Sequence, residues 1–104
     1  MLTLDESKAA NHLNEKHTAL TFIHSPFCGT CHIARKMLVT IEEVYQSGLF
    51  YELNASLHPK LMQDYRIESV PCMLITKEGG VVEKIYAFHS VPHMLERIAQ
   101  YVKK

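Results

Sequence analysis

No stretch of this sequence holds enough consecutive apolar residues to cross a bilayer, so a membrane-spanning protein is not expected. There is no excess charge of either sign. Lys plus Arg and Asp plus Glu both number 11, and a chain without a basic face is not expected to hold nucleic acid. Cysteine is scarce at three residues, too few and too unevenly placed for a disulfide framework; such cysteines are catalytic, metal-binding or buried. Tryptophan is missing, and no internal repeat, low-complexity tract or linker interrupts the chain. The first residues, MLTLDESKAANHLNEK, are polar and lean acidic, unlike a signal or transit peptide. The expected location is therefore the cytoplasm, where thiols are kept reduced. What is present is 47% hydrophobic residues in 104, enough for one domain over residues 1–104 with a core that needs no metal or disulfide staple.

Thr3-Leu4-Asp5-Glu6 reads as a capping box, and Leu4, Ala9, Leu13 and Lys16 roughly keep helical spacing, predicting a first helix to about Lys16. Ala19 to Ile23 is a short apolar run rich in β-formers and reads as a buried strand, broken by Ser25-Pro26. From Cys28 or Gly29 to Gln46 the pattern is helical. Ile33, Met37, Leu38, Ile41, Val44 and Tyr45 form its expected apolar stripe, with Gly48 as the stop. Leu49 to Leu53 is a second strand, and His58 to Tyr65 a short helix with Pro59 in its first turn. Val70 precedes a proline and must be extended or in a turn. Cys72 to Thr76 and Val81 to Phe88 are strands joined by a hairpin turn at Glu78-Gly79-Gly80. Ser90 caps a last helix through Leu95, Ile98, Ala99 and Val102. Strands separated by helices imply parallel βαβ units, and the hairpin adds an antiparallel edge. The expected fold is α/β, a central mixed β-sheet flanked by helices on both faces.

Cys28-Gly29-Thr30-Cys31 lies where a buried strand ends and a long helix begins. Helix positions three apart share a face, with Cβ atoms roughly 5–6 Å apart. A disulfide needs Cα atoms about 4.4–6.8 Å apart, so such a pair opens and closes with little backbone movement. The first cysteine meets the unpaired N–H groups and positive dipole end of the helix, which favour its thiolate. Thiolate is the attacking species in disulfide exchange, which passes through a mixed disulfide. The second cysteine, one turn deeper, is placed to resolve that intermediate. Gly29 leaves room for a substrate backbone.

The same residues admit other chemistries. Cys28-Gly29-Thr30-Cys31-His32 matches the c-type haem attachment pattern, although such attachment calls for an axial-ligand pocket and commonly an exported chain. Zinc would need four ligands, usually two half-sites, and only one CxxC exists; Cys28, Cys31, Cys72 and a histidine form the one conceivable set. The seven histidines have no ligand spacing, and no metal or other cofactor is expected.

Across nearly its whole length the chain resembles the thioredoxin family. The resemblance rests on the order of elements, on Phe27-Cys28-Gly29-Thr30-Cys31 opening a helix, on Val70-Pro71 between the short helix and the next strand, and on Gly79-Gly80 at the hairpin. It implies a thioredoxin fold and reduction of protein or small-molecule disulfides, with Cys28 attacking and Cys31 resolving. It implies a cis peptide bond before Pro71, facing the cysteine pair. It implies a monomer whose partners are disulfide-containing proteins and a thiol reductant or reductase. Phe27, Gly29, Thr30, Val70, Pro71 and Tyr86 would form the substrate surface.

The departures from the family pattern are specific. Thr30 stands for the usual proline between the cysteines and Phe27 for tryptophan. Phe22 stands for the buried aspartate, Glu52 for its partner lysine, Tyr86 for a glycine beside the substrate, and Cys72 follows the cis-proline. With aspartate gone, Glu52 is the candidate proton acceptor for Cys31. Either it is buried beside Phe22 without a cation, which would raise its pKa, or it points to solvent at a strand edge and water takes the proton. Cys72 is either near Cys28 or a small buried residue at a strand start. His32 either supports the Cys28 thiolate or is an exposed helix residue. A different reading is a binding module of this fold, in which Phe27 and Tyr86 recognise a partner and the thiols are incidental.

Overall fold

A computed structural model describes residues 1–4, 9, 12–13 and 17–102. Its strands are β1 (Leu2–Thr3), β2 (Ala19–His24), β3 (Tyr51–Asn54), β4 (Cys72–Lys77) and β5 (Gly80–Ile85); its labelled helices are α1 (Gly29–Tyr45), α2 (Pro59–Asp64) and α3 (Val91–Ile98). The strands form one sheet in the order β1-β3-β2-β4-β5. β1 and β2 pair with β3 in parallel, and β4 runs antiparallel to both β2 and β5.

Alternation along the central strands builds two cores, because successive side chains leave opposite faces of a strand. Leu20 and Phe22 of β2, with Met73 and Ile75 of β4, meet Ala34, Leu38 and Ile41 of α1 and Met94 and Ile98 of α3. Ile23, Cys72 and Leu74 point the other way, toward Leu53, Leu4, Ala9 and Leu13, with Leu61, Met62 and Tyr65 packed behind them. Ala9, His12 and Leu13 are themselves helical. Helices therefore cover both faces, the mixed arrangement expected from the sequence.

Several local expectations are corrected. Leu2 and Thr3 form an edge strand on Tyr51 and Glu52, and the rest of the expected capping box, Asp5 and Glu6, lies outside the described residues. The buried stripe of α1 is Cys31, Ala34, Leu38 and Ile41; Ile33 and Val44 are exposed. These four keep the three- and four-residue spacing of a helix face, whereas Ile33 and Val44 fall beyond its edges. The helix ends on Gln46, which takes the left-handed conformation (φ 53°), before Gly48 is reached. β3 begins at Tyr51 because Leu49 and Phe50 give their N–H groups to the Glu42 carboxylate, at 2.8 and 3.1 Å. β5 ends at Ile85, and Tyr86 to Phe88 leave the ladder as the chain reverses through His89 (φ 57°). The hairpin is as expected. Lys77 pairs with Gly80, and the two residues between them, Glu78 and Gly79, both have positive φ, as a type I′ turn requires. Ser90 caps α3, its Oγ accepting the His93 N–H at 3.2 Å.

Candidate active site

Three chain segments converge at the end of β2. Cys28 is the N-cap of α1, extended at φ −109° and ψ 107°, so its side chain folds back over the first helical turn. Its Sγ accepts the Cys31 backbone N–H at 3.2 Å and lies 3.3 Å from the Thr30 hydroxyl. The third segment is the loop before β4, where the Val70–Pro71 bond is cis and the Val70 carbonyl oxygen lies 3.8 Å from Cys28 Sγ.

This geometry separates the two thiols. Burial alone would raise Cys28, but hydrogen bonds from the Cys31 thiol, the Thr30 hydroxyl and both backbone N–H groups outweigh it and hold Cys28 below the ordinary thiol value. Cys31 is buried, and desolvation, then its bond to Cys28, push it up to about 11. A thiol held below its ordinary value thus sits over a buried one held above it. Around the pair, Phe27 is 90% exposed, Gly29 and Thr30 are exposed, and a Cβ added at Gly29 would meet nothing within 4 Å. His32 is an exposed residue of α1.

The whole chain, residues 1–104, matches the family model described as Thioredoxin. It belongs to the thioredoxin family. It is 44% identical over 86 residues to the thioredoxin-like protein YusE of Bacillus subtilis, covering 83% of this chain and 81% of that one. It is 29% identical to a thioredoxin of Listeria monocytogenes (80% and 82% covered) and 24% identical to a thioredoxin of Chlamydia caviae (72% and 74% covered).

Within this thioredoxin-family chain, Glu52 is where the sequence expectation is corrected. It is buried and in register with Phe22, the first of the two expected placements, but it is not without a cation. Arg35 of α1 grips it with both terminal guanidinium nitrogens, Nη1 to Oε2 at 2.8 Å and Nη2 to Oε1. His24 Nε2 lies 3.4 Å from the same Oε1. The Arg35 bond, opposed by desolvation, holds the Glu52 carboxyl below its ordinary value rather than above it. Burial and then Arg35 lower His24. The Arg35 guanidinium also lies over the Phe22 ring, 5.9 Å from its centroid, with the His24 ring stacked at 5.5 Å.

Cys72 faces away from the pair. It belongs to the core on the opposite side of the sheet from Cys31, is fully buried, and burial pushes its thiol up to about 12 against Lys84 and Tyr86. Tyr86 does border the site. With Thr30, Ile33, Met37, Pro71 and His89 it lines a groove of about 350 Å³, and its hydroxyl accepts the Glu68 N–H at 3.2 Å. Sequence reasoning missed Arg35, His24, Ile33, Met37 and His89. The visible signal for Arg35 was its place one helical turn after Cys31. No group of three or more His, Cys, Asp or Glu among the described residues is arranged to hold a metal ion.

Proposed function

We propose that this chain is a cytoplasmic dithiol–disulfide oxidoreductase that reduces disulfides of protein or small-molecule substrates. It acts as a monomer of one domain without a cofactor, and a thiol reductant or reductase restores it. Membership of the thioredoxin family supports thiol–disulfide oxidoreductase chemistry in general. The observation that carries the reading is the Cys28 Sγ at the N-cap of α1, accepting the Cys31 N–H over a buried second thiol.

The chemistry follows from that arrangement. The Cys28 thiolate attacks one sulfur of a substrate disulfide; that S–S bond breaks, and the departing substrate thiolate takes a proton from water. Cys31 then loses its proton and attacks Cys28 Sγ, so the mixed disulfide breaks and the second substrate thiol leaves. Electrons pass to the substrate and the protein is left as the Cys28–Cys31 disulfide, which an external thiol donor reduces again. Val70 and Pro71 present backbone beside Cys28 for an extended substrate segment. Phe27, Gly29, Thr30 and Tyr86 complete the surface it lies on.

Insulin reduction with dithiothreitol as electron donor tests this. The protein is expected to accelerate it, Cys28→Ser to abolish the acceleration, and Cys31→Ser to accumulate mixed disulfides. A rate no higher than that of dithiothreitol alone would overturn the reading and leave a binding module of thioredoxin fold.

A further inference from the structure

We propose that Arg35, anchored by Glu52 and lying over Phe22, is a positioning residue that stabilises the Cys31 thiolate as it forms. The proposal rests on the oxidoreductase reading above and concerns its resolving step. In that step Cys31 S–H gives its proton to water, the new thiolate attacks Cys28 Sγ, and the bond between Cys28 and the substrate sulfur breaks. The electron pair leaves on the substrate sulfur, which is protonated from water. Negative charge therefore appears first on the buried sulfur of Cys31, where desolvation opposes it.

Cys31 and Arg35 are four residues apart on α1, so their side chains leave the same helix face one turn apart, with Cβ atoms about 5–6 Å from each other. A free arginine there would swing to solvent. This one is fixed by both terminal guanidinium nitrogens on a carboxylate from β3, and a flat ring from β2 lies beneath it. Phe22 and Glu52 are partners in the parallel register, so that shelf and that anchor arrive side by side. The cation is thereby held on the core side of the helix, and its charge lowers Cys31 against the effect of burial. The Arg35 side chain is 37% exposed, so water screens its charge, and its influence on Cys31 is smaller than that of burial or of the bond to Cys28.

Other titratable groups face this region. On α1 they are Cys28 and the exposed His32; from β2 comes His24, from β3 Glu52, and the Met1 ammonium acts on Glu52 from the chain start. From β4 and α3 come Met73, Ile75, Met94 and Ile98, which do not titrate. Above about pH 8 His24 is neutral and Glu52 charged, so a titration there reads Cys31 against Arg35 and Glu52.

The experiment is the pH dependence of Cys31 alkylation by iodoacetamide in a Cys28→Ser background, with peptide mapping to separate Cys72. Arg35→Met is expected to move the midpoint up by about one pH unit, roughly tenfold less thiolate at a given pH, while Arg35→Lys restores most of it. Glu52→Gln leaves one acceptor oxygen and weakens the anchor, and is expected to move the midpoint up by less than Arg35→Met does. Should Arg35→Met leave Glu52 unpaired and unfold the chain, the Arg35→Met/Glu52→Gln double variant takes its place, with its midpoint expected above that of Glu52→Gln alone. Equal midpoints for all variants, or a downward shift in Arg35→Met, would overturn the proposal. Alkylation needs no disulfide turnover, so this outcome is read separately from insulin reduction.

Discussion

Phe22 and Glu52 are neighbours in register on the parallel strands β2 and β3, and they share the sheet face that Arg35 covers. An apolar ring in the first position leaves the second free to carry an acid, and the helix supplies its cation. The pair has a consequence for acid stability. Glu52 is held below its ordinary value of 4.5 in the folded chain, so it binds fewer protons there than when unfolded. Its contribution is complete above about 4.5, begins to fall below that, and is gone once pH drops through the lower folded value. Urea unfolding as a function of pH is expected to show stability declining below about pH 4.5, with a shallower decline for Glu52→Gln. Parallel profiles for the two proteins would contradict the assignment.

Thr30 is expected to set the acidity of Cys28 and, through it, the redox poise. Its hydroxyl is 3.3 Å from Cys28 Sγ and donates to the thiolate once the proton has left. Thr30→Val keeps the shape and removes that donor, so Cys28 alkylation should need a pH higher by up to about one unit. Thr30→Pro also removes a backbone N–H. A less stabilised thiolate favours the disulfide, so both variants should have a lower reduction potential than the parent, read by equilibration with glutathione. Potentials equal to the parent's would remove Thr30 from the account.

Tyr86 lines the groove beside Pro71, with its hydroxyl tied to the Glu68 N–H. Tyr86 packs against the core of Cys72 and borders the groove it shares with Thr30 and Pro71, so Tyr86→Gly should widen that groove and raise the rate on insulin relative to the rate on a small disulfide. Tyr86→Phe keeps the ring and loses only the tie, and should leave that ratio near the parent's. An unchanged ratio in Tyr86→Gly would mean that the ring does not limit access.

The buried face of α1 gives a test by stability. Leu38 is fully buried and Val44 is 61% exposed. Leu38→Ala should cost about 2–5 kcal/mol in urea unfolding, and Val44→Ala no more than about 0.5 kcal/mol. Comparable losses would restore the stripe the sequence suggested.

That stripe marks where sequence reasoning ran out. The cysteine motif at a strand-to-helix turn, the apolar run of β2 and the Glu78-Gly79 hairpin are local patterns of composition, spacing and turn chemistry, and all were legible. Which of two adjoining apolar edges of α1 faces inward depends on how the helix lies on the sheet. Ile33 and Val44 look like core residues until Met94 and Ile98 of α3 are in place. The strand beginning at Leu49 was misplaced because the Glu42 carboxylate takes the backbone N–H groups that a strand would use. The Arg35–Glu52 pair was invisible for a related reason. It joins residues 17 apart in sequence through a parallel register that no local pattern encodes. Cys72 turned away from the site because one step along β4 moves a side chain to the other face of the sheet.

The central claim is that Cys28 and Cys31 form a redox couple that leaves Cys72 aside. Its most direct test is equilibration of the protein across glutathione redox buffers, acid quenching, alkylation and peptide mapping by mass. The account predicts one two-electron transition, with Cys28 and Cys31 disappearing together into a single intramolecular disulfide while Cys72 stays a thiol. A disulfide that includes Cys72, or three thiols persisting across the whole range, would contradict it.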